Sequence, residues 1–137
     1  MELTGVHICL EVEDYARAMK FWQPLCAAAG FKPLWGDGKG FAGFLHGSMM
    51  LIIGQQQPRR VVRNAPTGKE FVVADHIGFH VTHREELDAM VDAMAAAGFE
   101  PLFPAQEYPE FGAGFHAVTF CDEDNNVVEF AWRAPRD

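Results

Sequence analysis

Apolar and polar positions alternate with a period of two from Val6 to Val12, which places His7, Cys9 and Glu11 on one face of a strand and Ile8, Leu10 and Val12 on the other. After Asp14, which suits a helix N-cap, the period lengthens. Tyr15, Ala18, Met19, Trp22, Leu25, Cys26 and Ala29 recur at helical spacing up to Gly30, and Pro24 predicts a kink or a break within that helix. Phe31 to Trp35 then reads as a strand. Phe41 to Leu45 and Met49 to Ile53 read as a hairpin across His46-Gly47-Ser48. Residues 55–70 lose all periodicity and have linker composition; their basic trio Arg59, Arg60 and Arg63 reads as a solvated face. Beyond them the same succession returns. Asp75 to Val81 predicts a strand, and a Thr82/Glu85 capping box opens a helix with the buried stripe Leu87, Met90, Val91, Met94 and Ala97, closed by Gly98. Phe99 to Phe103 predicts a strand, Pro104 to Gly114 an aromatic connection, and His116 to Cys121 with Val127 to Trp132 a last hairpin.

The return is a duplication in sequence as well as in pattern. Val6-His7-Ile8 through Val12 is echoed by Asp75-His76-Ile77 through Val81, with His, Ile and Val in the same places. The run from Cys26 to Trp35 matches Met94 to Phe103 at seven of ten positions. Internal repetition outranks single motifs as evidence of architecture. The expectation is an α+β fold: a single domain, 1–137, of two βαβββ modules, 1–54 and 71–137, joined by linker 55–70. The modules pair into a cup-shaped mixed sheet with the helices outside.

Composition narrows the functional classes. A chain of 137 residues is too short for two independent halves, so the modules must share one core. Net charge of -8 argues against a nucleic-acid partner, which needs a basic face to neutralise phosphates. No apolar run approaches the roughly 20 residues of a membrane span, and no secretory signal is visible. The three cysteines have neither metal-like nor disulfide-like spacing, which points to reduced thiols and a cytoplasmic protein. A small-molecule ligand is expected.

Candidate chemistry lies at equivalent points of the repeat. His7 and His76 occupy the same position of the two first strands, and Glu129 is a carboxylate inside the apolar final strand. If all three point into the cup, two imidazoles and a carboxylate suit a divalent ion such as Fe2+, Mn2+, Ni2+ or Zn2+. Each also has an ordinary reading, as a hydrogen-bonded or solvated strand residue. His80, Glu11, Cys9 and His116 share strand faces with the candidates or lie near them, and are weaker candidates for a base or a ligand contact. Tyr108 and Phe111 read either as a lid or as loop anchors on the core.

The His-Ile-x-x-x-Val strands, the Ala-Gly-Phe helix ends and the run Phe120-x-Asp122-x-Asp124-x-Asn126-x-x-Glu129-Phe130 together resemble the vicinal oxygen chelate superfamily across essentially the whole chain. That superfamily includes glyoxalase I, bleomycin and fosfomycin resistance proteins, methylmalonyl-CoA epimerase and extradiol dioxygenases. In the acidic turn Asn125 stands where glycine is common. The resemblance implies metal ligation by His7, His76 and Glu129. By strand face and loop position, Glu129 and His80 are the catalytic candidates and Glu11, Tyr108, Phe111 and His116 the candidates for ligand contact. It implies a metal-dependent lyase, isomerase or dioxygenase on a small oxygen-chelating substrate, or alternatively a non-catalytic drug-sequestering protein, and a homodimer in either case. Aligning the last strands of the modules places Leu51 where a glyoxalase carries a fourth ligand, a glutamate. Glu11 stands where glyoxalase I has a cation for glutathione, which disfavours that substrate.

Overall fold

A computed structural model describes residues 1–2, 4–55 and 76–135. The expected linker beyond Gln55, with its three arginines, and Asp75 lie outside the described residues. The elements are β1 (Val6–Val12), α1 (Tyr15–Ala28), β2 (Lys32–Gly36), β3 (Phe41–His46) and β4 (Met49–Gln55), then β5 (Ile77–His80), α2 (Glu85–Ala96), β6 (Phe103–Glu107), a 3-10 turn (Pro109–Phe111), β7 (Phe115–Cys121) and β8 (Val127–Arg133). They form two four-stranded mixed sheets of identical topology, ordered β1-β4-β3-β2 and β5-β8-β7-β6. The α+β class and the doubled βαβββ succession are as expected.

The repeated Ala-Gly-Phe triplets end both helices by one device. Gly30 and Gly98 take φ of 78° and 87°, a conformation that costs glycine little. Phe31 N–H donates to Cys26 O and Gly30 N–H to Ala27 O, and Phe99 and Gly98 make the matching bonds to Met94 O and Ala95 O. This is the paired closing pattern that satisfies orphan carbonyls and turns the following aromatic residue back onto the helix. At the other end of α1, Asp14 accepts from Arg17 N–H at 2.9 Å, as its sequence position suggested.

Three local expectations are corrected. Helix α1 runs through Pro24 without a break, because Phe21, Trp22, Leu25 and Cys26 around it are all buried and their packing outweighs one lost backbone bond. The Thr82/Glu85 box does not form. Arg84 occupies the N-cap without a side-chain bond, and Glu86 instead reaches back to His83 N–H at 2.7 Å. Strand β6 begins where the expected strand ended, and its register with β7 slips between Phe103 and Gln106. Pro104 lies in this edge strand, as Pro33 lies in edge strand β2, where an absent N–H leaves no ladder bond unmade.

Each helix covers one face of its own sheet, and the two helices pack against each other. Leu87, Met90 and Met94 of α2 are buried and Val91 partly so. Paired residues Ile8 with Leu51 and Leu10 with Ile53 face α1, while Phe79 and Phe130 stack at 5.6 Å on the corresponding face of the second sheet. Phe31 of the first module meets Phe79 of the second edge-on at 5.6 Å, which makes the core continuous. Cys26 lies inside it, and burial pushes its thiol up to about 12. Alkylation of native protein with iodoacetamide at pH 8 is therefore expected to modify exposed Cys9 and to spare Cys26 until denaturant is added, as read by peptide mass mapping.

A buried carboxylate fastens the modules. Asp122, 6% exposed, lies in the acidic turn between β7 and β8 and accepts from Trp22 Nε1 at 2.9 Å and from Asn126 Nδ2 at 2.8 Å. Its other oxygen accepts from the backbone N–H of Asp124 and Asn126. Asn126 Nδ2 also donates to Glu11 O, and Asp124 accepts from Glu13 N–H. The turn of the second module thus holds the strand-to-helix corner of the first. Asn125, with φ of 62°, takes the left-handed conformation that explains why glycine suits this position.

Candidate functional site

The two helices pack against each other, and the candidate residues lie on the face of each sheet that its helix leaves open. On the first sheet that face carries His7, Cys9 and Glu11, in register with Met50, Ile52 and Gly54. On the second it carries Gly78 and Glu129, paired directly, together with Thr119, which pairs with Glu129 from the other side. His76 Nε2 stands 3.9 Å from Glu129 Oε1. The histidine side chain is 41% exposed and the glutamate 21%.

Gly78 borders both groups: a Cβ there would stand 3.8 Å from Glu129 Oε1 and 4.0 Å from His76 Cδ2, so a branched side chain would project against the pair. Two donors about 2.1 Å from one ion are about 3.0 to 3.4 Å apart at octahedral to tetrahedral angles. The observed pair, 3.9 Å apart, needs to close by about 0.5 to 0.9 Å, within reach of side-chain rotation. The donor set and the glycine gap fit a divalent cation.

The pair opens onto a hollow of about 260 Å3 walled by Phe103, Tyr108, Phe111, Phe115 and Thr119. Tyr108 and Phe111, singled out in the sequence as lid or anchor, both reach it. Their loop is pinned: Tyr108 N–H donates to Phe115 O, Gly114 N–H to Glu107 Oε1, and Arg133 Nη2 to Phe111 O at 3.1 Å. The Tyr108 hydroxyl donates to Pro104 O at 2.8 Å. Burial first, and then the Glu110 carboxylate, push this phenol up; a hydrogen bond with Gln106 opposes them and Glu129 adds to the rise. The hydroxyl therefore stays protonated and is a donor at neutral pH.

Other candidates lie elsewhere. His116 alternates to the opposite face of β7, stacks edge-on with Trp132 at 5.6 Å and borders a separate hollow with Arg84, Asp88 and Glu107. It stands on the face of the sheet opposite Glu129, because an odd number of residues along a strand reverses the face. His80 borders the groove between modules with His46 and Glu86, outside the hollow that holds Glu129. Glu11 lies on the first sheet with His7.

The convergence of His7, His76 and Glu129 within one chain is also not found: among the described residues no three of His, Cys, Asp and Glu gather as a metal site. The modules join through helices α1 and α2 and the Asp122 turn, and the hollow beside His76 and Glu129 is distinct from the one beside Cys9 on the first sheet. Strand pairing corrects the fourth position too. Glu129 pairs with Gly78, two residues after His76; the counterpart two residues after His7 is Cys9, and it pairs with Ile52. Ile52, not the core residue Leu51, is the equivalent of Glu129, so the position remains apolar. Sequence reasoning passed over Gly78 and the fastening role of Asp122, and the signals for them were a glycine inside an apolar strand and an acid at an apolar hairpin.

Residues 5–130 match the family model described as glyoxalase/bleomycin resistance protein/dioxygenase superfamily. No curated protein matches the sequence. Among solved structures the chain is similar to a glyoxalase/bleomycin resistance protein/dioxygenase family enzyme from Burkholderia phytofirmans, at 16% identity and a TM-score of 0.68 over 93% of this chain and 97% of that one. It is similar to the fosfomycin resistance protein of Listeria monocytogenes at 20% identity and a TM-score of 0.65, over 98% and 96% of the chains. A lactoylglutathione lyase from Agrobacterium tumefaciens aligns at 20% identity and a TM-score of 0.63, over 92% and 90%. At these identities the likeness is one of fold.

Proposed function

The chain belongs to the glyoxalase/bleomycin resistance protein/dioxygenase superfamily, and from that premise we propose that it is a metal-dependent enzyme whose site is completed between two copies of the chain. The observation that carries this reading is the His76–Glu129 pair, set 3.9 Å apart across Gly78 and exposed on a sheet face. Two donors in one chain are too few for a lasting site, and a closed structural or open catalytic centre ordinarily has three or four. His7 is exposed on the equivalent face of the other module. A homodimer that lays the first sheet of one copy against the second sheet of another supplies the third donor. The sequence expectation of a homodimer and the repeat's pseudo-symmetry both support that pairing.

When bound, a divalent ion supplies Lewis acidity toward the vicinal oxygens of a small substrate. The chain's own residues do the rest. His76 and Glu129 hold the ion and, with His7 of a second copy, leave positions for two substrate oxygens. Phe103 and Phe111 are exposed in the single chain, and covering them in the dimer would exclude water from the hollow and strengthen electrostatic interactions within it. Tyr108, its hydroxyl held on Pro104 O, presents its ring to the ligand as part of the wall. Lyase, isomerase and dioxygenase chemistry all begin from such an arrangement. Sequestration without catalysis is the second reading, favoured by the single observation that among the described residues no three metal-ligating side chains gather in one chain.

Metal analysis of protein purified without chelator tests the proposal. Wild-type protein is expected to hold close to one equivalent per chain, and Glu129→Ala roughly tenfold less or none. Gly78→Val should lose metal equally while keeping or raising Tm, since a β-branched residue suits a strand and removes unfolded-chain entropy. Full metal content in Gly78→Val protein would show that the gap beside Glu129 is not the binding position.

A further inference from the structure

The face of the first sheet that its helix leaves open carries a larger hollow, about 540 Å3, bordered by Cys9, Trp35, Phe41, Ile52 and Gly54. Trp35 pairs with Gly43 across the sheet. A Cβ on residue 43 would stand 2.8 to 3.0 Å from three indole carbons, so only glycine there lets the indole lie down on the strand backbone. Phe41 meets the indole edge-on, with centroids 5.5 Å apart. Rings of this size are ordinarily buried. Here they stay 41% and 42% exposed, although the fold fixes their positions. The turn beneath them is held by Asp37 Oδ1, which accepts from the N–H groups of Lys39, Gly40 and Phe41 at 2.8, 2.8 and 3.1 Å. Gly54 leaves open space above the same floor.

We infer that this hollow is an aryl-binding site, in which Trp35 and Phe41 receive a flat aromatic ring of the molecule whose vicinal oxygens reach the metal centre. The volume falls in the range of small-molecule sites. His7 and Cys9 are two residues apart on one face of β1, about 6.8 Å, so a ligand held beside His7 needs one fused or linked ring to reach the floor. The link to the metal rests on the shared-site reading above, whereas the ring site rests on Trp35 and Gly43 alone.

Calorimetric titration of full-length metal-loaded protein with acetohydroxamate and 2-naphthohydroxamate, and of metal-free protein with 2-naphthol, separates the two. These ligands share a chelating head, a ring or both. The naphthyl hydroxamate is expected to bind about tenfold tighter than the acetyl one, with that gain lost in Trp35→Ala and in Gly43→Ala, which keeps the indole but lifts it, and largely retained in Trp35→Phe. Acetohydroxamate affinity should be unchanged in all three variants. If 2-naphthol binds wild type but not Trp35→Ala while acetohydroxamate never binds, the ring site stands and the metal reading falls. Equal naphthyl affinity in wild type and Trp35→Ala would overturn the inference, as would dissociation of the dimer by Trp35→Ala, which would mark the platform as a contact between copies.

Discussion

His7→Ala and Glu129→Ala proteins are each expected to lose metal, and an equimolar mixture, unfolded and refolded together, is expected to regain about a quarter of the wild-type content. The figure follows from symmetry. Random pairing makes half of the dimers mixed, and each mixed dimer has one site that takes His7 from the Glu129→Ala chain and Glu129 from the His7→Ala chain. That site is intact, and the other lacks both donors. Isolated mixed dimers should accordingly hold one ion per two chains. The prediction is specific to the arrangement seen here, in which helices α1 and α2 pack against each other and His7 is not gathered with His76 and Glu129 in one chain. Mixed dimers as empty as the parents, beside a fully loaded wild type, would place the site within a single chain and refute the sharing.

Asp122→Ala is expected to cost about 3 kcal/mol, near the upper end for single polar deletions, and to lower Tm by roughly 10 °C. The carboxylate accepts four hydrogen bonds, two from side chains and two from backbone N–H groups. Truncation leaves the Trp22 indole N–H in a fully buried residue without its acceptor, and a buried donor left unmade costs more than the net value of the bond it made. It also releases the turn from Glu11 and Glu13, the corner where the modules meet. Arg17→Ala is the control: its 2.6 Å pair with Glu123 is drawn from side chains 45% and 60% exposed, where solvent screens the charge and the expected effect is below about 1 kcal/mol. Urea unfolding of the two variants decides the ranking. A loss smaller for Asp122→Ala than for Arg17→Ala would show that the turn is not the fastening point.

The repeat, the element order and the inward stripes were legible because they depend on local periodicity. Period two in Val6–Val12 assigns His7 and Ile8 to opposite faces whatever the partner strand, and the Ala-Gly-Phe triplets specify a helix end through one residue's φ. His76 beside Glu129 was legible for the same reason, each being polar on an apolar strand. Three things were not. Strand registers depend on pairing, which is why Leu51 was aligned where Ile52 belongs. The reach of β6 depends on which N–H groups of an edge strand need partners, which Pro104 alters without any change in hydrophobic pattern.

The third concerns how the two halves meet. The sequence by itself determined that the chain is two copies of one unit, each with a metal-ligand candidate on the first strand and a hydrophobic face that neither copy covers alone. Which residues of one half cover the stripe of the other is not encoded in either half's periodicity, since the same stripe is buried whatever covers it. Tertiary packing decided it: Phe31 against Phe79, α1 against α2 and Asp122 on Trp22 join the halves. The face of each sheet that its helix leaves open carries that module's histidine, His7 or His76.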